Sequence, residues 1–68
     1  MINWQRVVLN LRRHISVSAV ARRAGSNERH LNRIARGEVH EPRFSTGLRL
    51  LDLHHELCPD KHRLEELT

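Results

Sequence analysis

Gly25 constrains this chain more than any other residue, because of what stands at fixed distances on either side of it. The run Val17-Ser18-Ala19-Val20-Ala21-Arg22-Arg23-Ala24-Gly25-Ser26-Asn27-Glu28-Arg29-His30-Leu31-Asn32-Arg33-Ile34 reads as two short helices joined by a tight turn. Ala21 precedes the glycine by four residues, and Leu31 and Ile34 follow it by six and nine. Ala21 supplies the small residue needed where one helix crosses the other. The turn needs a positive φ, which glycine adopts without steric cost. Leu31 and Ile34, three apart, supply an inward apolar pair that seats the second helix. The outer face of that helix then carries Glu28, Arg29, Asn32 and Arg33.

The rest of the chain extends the helical reading. Trp4, Val7, Val8, Leu11 and Ile15 recur at helical spacing from about Asn3 to His14, with Asn3 as cap. Ser16 is the expected N-cap of a second helix running to about Ala24, its inner side made of Val20, Ala21 and Ala24. Asn27 is placed to cap the third, where Glu28 at the first position suits the helix dipole. Gly37 stops that helix near Arg36. A fourth helix is expected from about Pro42 or Arg43 to Leu57, since proline suits a helix start. Gly47 inside it costs on the order of 1 kcal/mol against alanine, so something should pack close there. Pro59 ends it, and Asp60 to Leu67 reads as a short last helix with Leu64 and Leu67 as its apolar contacts. Strand-type alternation is nowhere sustained. The expected fold is all-α, five short helices in one domain spanning residues 1–68.

Charge is divided unevenly. Residues 1–40 hold eight arginines against Glu28 and Glu38, a net of +6; residues 41–68 hold four basic and six acidic side chains, a net of −2. A basic half suggests one face made for a polyanion. Eleven of the twelve cationic side chains are arginine, which suits bidentate contacts to phosphate and guanine edges, although a GC-rich genome enriches arginine too. The single cysteine, Cys58, excludes an internal disulfide and fits a reducing cytoplasm. No stretch approaches the roughly 20 apolar residues of a membrane span. Arg6, Arg12 and Arg13 interrupt any signal-peptide core. A cytoplasmic protein without membrane contact is expected.

Several segments together resemble one family, the lambda-type repressor and Cro (XRE-like) helix-turn-helix proteins. The Ala21, Gly25, Leu31, Ile34 framework is joined by Arg33-Ile34-Ala35-Arg36-Gly37, similar to the family's Arg-Ile-Glu-Arg-Gly ending of the recognition helix. Pro42-Arg43-Phe44 opens the fourth helix as in lambdoid phage members. Leu48 to Leu57 and Cys58-Pro59-Asp60 resemble its leucine-rich helix and the break after it. The resemblance covers nearly the whole chain. The chain departs from the family at Val17, where a phosphate-bracing glutamine is usual, and at Ser26, where valine or isoleucine is common. It also carries Ala35 and Asn10 where a Glu–Arg ion pair often stands. Losing both ionic partners together strands no charge.

The resemblance implies a lambda-repressor-like domain with the helix-turn-helix at about residues 16–36, binding a palindromic double-stranded DNA operator as a homodimer. Arg29 suits guanine, Asn32 adenine and Glu28 cytosine N4, with Arg33 at a base or the groove edge. Asn27, Arg36 and Arg43 are the expected phosphate contacts, and Ser16 and Ser18 stand in for the missing glutamine. The fourth helix has more leucines than one buried stripe needs. Leu50, Leu53 and Leu57, or Phe44 with Leu57 and Cys58, are expected either to form a dimer face or to lie under the fifth helix. The chain has no room for a separate ligand-sensing domain, which favours a constitutive, Cro-like repressor without cofactor or small-molecule ligand.

Other chemistries fit less well. His54, Cys58 and His62 are spaced by fours, but Pro59 breaks the helix between them and a closed zinc site needs four ligands. The six histidines therefore read as surface or interface residues and no metal is expected. His55-Glu56-Leu57-Cys58 lacks the second histidine of a zinc protease motif. A thin helical domain offers no deep pocket for a Cys–His nucleophile, so no enzyme is expected. Two rivals stand beside the regulator: an antitoxin-like or adaptor module that binds protein, with DNA contact secondary, and an architectural DNA binder without sequence preference.

Overall fold

Side-chain caps start the first three helices. In the computed structural model, which describes residues 1–68, Asn3 Oδ1 accepts from the Arg6 N–H at 3.0 Å and opens α1 (Trp4–Leu11). Ser16 Oγ accepts from the Ala19 N–H at 3.1 Å and opens α2 (Val17–Ala24). Asn27 Oδ1 accepts from the His30 N–H at 2.8 Å and opens α3 (Glu28–Ala35). Each cap satisfies one of the orphan donors of a helix start. Two glycines end helices in the left-handed region, Gly25 at φ 68° and Gly37 at φ 79°. At each, the two N–H groups of the turn bond back into the last helical turn. Ser26 donates to Ala21 O and Gly25 to Arg22 O; Glu38 donates to Arg33 O and Gly37 to Ile34 O. This paired closure is the Schellman arrangement, and its left-handed pivot favours glycine, which has no Cβ to clash.

The chain continues through α4 (Phe44–Leu57), a 3₁₀ turn at Pro59–Lys61 and α5 (Leu64–Leu67), with no strand anywhere. The fold is all-α, with five α-helices. Three boundaries differ from expectation. The first helix stops at Leu11, and residues 12–14 tighten into turns in which Arg13 and His14 donate to Asn10 O and Leu11 O. The fourth begins at Phe44, because Arg43 is still extended at ψ 152°. The segment Asp60–Leu67 is two pieces, interrupted at His62 and Arg63.

α4 packs on α1 and α2, and α3 packs on α1 and α2 from another side. The core between them is Val7, Val8 and Leu11, Val20, Ala21 and Ala24, Leu31, Ile34 and Ala35, Leu50 and Leu53, closed by Cys58. Gly47 lies where close packing was expected. A Cβ there would stand 3.0 Å from the Trp4 ring, so the missing side chain admits the indole between α1 and α4.

Two sequence-based assignments are corrected by this packing. Cys58 is only 5 % exposed and belongs to the core, so it is not part of an outward apolar surface. Its N–H donates to His54 O while its own carbonyl accepts from Lys61, which folds the turn after Pro59 beneath the end of α4. Burial pushes its thiol pKa up, as for an inert structural cysteine. His54 is not a surface histidine either: it is fully buried. Its Nε2 lies 3.2 Å from Asn10 Nδ2 and its Nδ1 lies 3.0 Å from His62 Nδ1. No buried side-chain nitrogen or oxygen is left without a partner.

Candidate nucleic-acid interface

The two sides of α3 differ sharply. Leu31, Ile34 and Ala35 are buried, while Glu28, Arg29 and Arg33 are exposed and Asn32 is half-buried. The outward side meets no other element of the chain through any hydrogen bond except at its C-terminal end. There Gln5 of α1 donates from Nε2 to Ala35 O at 2.9 Å, satisfying one of the orphan carbonyls of the helix end. The same amide lies against Gly37. Gln5 thus ties the helix to the scaffold from thirty residues away, a role that no local pattern reveals.

Arg33 and Arg36 are not free cations. The Glu38 carboxylate accepts from Arg36 Nε at 2.5 Å and stands 3.7 Å from Arg33 Nε. The Arg36 hydrogen bond, with the charges of Arg36 and Arg33, holds the Glu38 carboxyl below its ordinary pKa. All three side chains are about half exposed, so water and salt screen the pairs and an external anion can compete for either guanidinium.

Arg43 and Asn27 come together across the α2–α3 turn. With Ser26, His30 and Thr46 they line a polar cleft of about 260 Å³ between that turn and the start of α4. Arg43 is exposed and pairs with no acid of the chain. Ser16 and Ser18 are also exposed, but they stand at the start of α2 and do not line this cleft. The Ser16 hydroxyl oxygen is used as a cap, which leaves its hydrogen available to an external acceptor.

Arg49 is a residue that sequence reasoning missed. It reaches from α4 over the turn, and its Nη1 would stand 2.5 Å from a Cβ at Gly25. The glycine therefore answers two demands at once, a left-handed backbone and room for a guanidinium. Arg23 is committed to Glu56 at 2.6 Å and joins α2 to α4.

Of the expected dimer residues, Phe44 is exposed, Leu57 is half-buried and Cys58 is internal. His54, His62 and Cys58 form no cluster of three metal-ligating groups. No helix is long and apolar enough to cross a membrane. The fold and its exposed surfaces define a small all-helical domain that presents a basic third helix. Compared with family models, with curated proteins and with solved structures, the chain matches none of them.

Proposed function

We propose that this chain is a sequence-specific regulator that binds double-stranded DNA, a Cro-type repressor acting in the bacterial cytoplasm as a dimer on a palindromic operator. One observation carries the reading: α3 buries only its inward apolar residues and leaves Glu28, Arg29, Asn32 and Arg33 facing outward. A helix about 10–12 Å across, unobstructed on one side, fits the major groove of about 12 Å. Arg29, in the first turn, donates to guanine O6 and N7. Asn32 pairs with adenine, Glu28 accepts from cytosine N4, and Arg33 meets a base or the groove edge. Arg43 and Asn27, flanking the polar cleft at the start of α3, hold the phosphate backbone together with Arg36, Ser16 and Ser18. Occupancy of a promoter then excludes polymerase, and regulation follows protein concentration.

The protein-binding rival, an antitoxin-like or adaptor module, is favoured by one observation, the 81 % exposure of Phe44. Selection of duplexes from a random pool, followed by competition binding, separates the readings. The regulator predicts a palindromic winner bound about 10³-fold or more tighter than random duplex. Equal affinity for all duplexes, or no binding, overturns it.

A further inference from the structure

The two ends of α3 are not equally free. Arg29, in the first turn, pairs with no acid of the chain, whereas Arg33 and Arg36, at the far end, share the carboxylate of Glu38. The backbone holds Glu38 in that place. Gly37 turns at φ 79°, and the Glu38 N–H donates to Arg33 O at 3.0 Å, which pins residue 38 against the last turn of the helix. Val39 packs on the core and fixes the loop from the other side. The two carboxylate oxygens are divided between the arginines: Oε2 accepts from Arg36 Nε, and Oε1 stands 3.7 Å from Arg33 Nε.

Stability does not account for this carboxylate. An acid at the C-terminal end of a helix opposes the helix dipole, and exposed ion pairs add little to folding. Nor does the group join α3 to another element, as Arg23 and Glu56 join α2 to α4. What it changes is charge. Two arginines and one glutamate leave a net charge of +1 where the arginines alone carry +2. The carboxylate also offers guanidinium groups a pair of anionic oxygens, as a DNA phosphate does.

We propose that Glu38 is a specificity-determining residue, an internal substitute for phosphate that occupies Arg36 and Arg33 in the free protein and gives them up only to a duplex that α3 fits. The proposal rests on the DNA-binding reading and names a restraint within it. Attraction to duplex of arbitrary sequence comes from cationic charge acting on phosphates, and Glu38 cancels one unit of that charge at this end of α3. A fitting duplex is held by base contacts as well, which fix the helix in the groove. A phosphate is then brought within hydrogen-bonding distance of Arg36 and takes over the bond that Glu38 made, while the half-exposed carboxylate turns to water. The carboxylate therefore weakens arbitrary binding more than fitted binding.

Anisotropy titrations across a range of salt, on a duplex selected from a random pool and on a duplex of random sequence, test this in wild type, Glu38→Gln and Glu65→Gln. Glu38→Gln keeps the size of the side chain and an acceptor for Arg36, and circular dichroism should show the wild-type fold. It should bind random duplex about eightfold more tightly at about 0.1 M salt, the worth of one more effective cation at a slope of about −0.9 per phosphate. Its salt slope on that duplex should steepen by about one, while affinity for the selected duplex rises about twofold or less. Glu65→Gln removes the same charge from α5, where Glu65 pairs with no base of the chain, and should match wild type throughout. Where wild type prefers the selected duplex, the proposal alone is overturned by any of three results: Glu38→Gln binds random duplex as wild type does, it gains equally on both duplexes, or Glu65→Gln gains as much. If neither wild type nor Glu38→Gln prefers any duplex, the regulator reading falls and the proposal with it.

Discussion

Asn10→Ala is predicted to destabilise this domain severely, although residue 10 is not part of the proposed DNA face. Asn10 is 7 % exposed and its side-chain amide is the hydrogen-bond partner of Nε2 on His54, which is fully buried. Truncation leaves that ring nitrogen without a partner where no water reaches. A buried group left unsatisfied costs about 1–3 kcal/mol. A chain of this length has a total stability of roughly 3–10 kcal/mol, so the loss is a large share. At about 4–8 °C per kcal/mol for a small domain, a loss of about 2 kcal/mol lowers Tm by about 10 °C. Replacing both partners, Asn10→Leu with His54→Leu, should cost much less, because no polar atom is then stranded. Thermal melts by circular dichroism check both variants. A Tm for Asn10→Ala close to wild type, or a double variant as unstable as the sum of its singles, refutes the reasoning.

The same pair predicts an acid dependence. Burial, and then the positive neighbours His62, Lys61 and His14, hold the His54 pKa below its ordinary value. The unfolded chain therefore takes up a proton as pH falls through about 6.5, while the folded protein does not. The contribution of His54 to stability is complete above that pH. It declines as pH falls toward the lowered folded-state pKa, and is lost below it. Melts from about pH 8 to about pH 5 should show a shallower acid-side decline in the Asn10→Leu/His54→Leu variant than in wild type. Equal slopes would mean that His54 takes no part in it.

The other expectations concern the turn and the proposed DNA face. Gly25→Ala should cost about 1–2 kcal/mol from the left-handed backbone, with the Arg49 guanidinium forced to swing aside, and Gly25→Asn should cost less; urea denaturation giving Gly25→Ala the wild-type midpoint would contradict this. Arg29→Ala should lose about 1–3 kcal/mol of operator binding and relax preference at one base pair, and unchanged discrimination in a titration rules that contact out. Arg43→Ala should weaken binding to all duplexes alike and reduce the salt slope by about one, so a variant with the wild-type slope shows that Arg43 meets no phosphate.

What could be read from the sequence was local. Asn3, Ser16 and Asn27 act within three residues of themselves, and Gly25 and Gly37 satisfy a backbone requirement of their own position. The inward and outward sides of α3 follow from a helical period over eight residues. α4 was less legible, because leucines at 48, 50, 51, 53 and 57 surround most of the helix, and only contact with other elements chooses among them. Trp4 makes that choice by lying over Gly47, which leaves Leu50 and Leu53 inside and Leu48 outside. Cys58 was misplaced for a related reason: proline marks where α4 ends but not which way the chain then turns.

The missing ion pair shows how a departure from a familiar pattern is absorbed. Asn10 and Ala35 occupy positions where the resembled family often joins its first and third helices by charge. Here Asn10 turns to His54 on α4, and Ala35 is buried with its carbonyl accepting from Gln5 of α1. The link between α1 and α3 is therefore made by a neutral side chain bonding to backbone, and the polar position on α1 serves a different neighbour. Two neutral hydrogen bonds replace one ionic contact and no desolvated charge remains. Each bond spans 30 or more residues, 30 for Gln5 to Ala35 and 44 for Asn10 to His54. Neither leaves a spacing in the sequence by which it could be found, yet the first holds the proposed recognition helix and the second locks α4 onto α1.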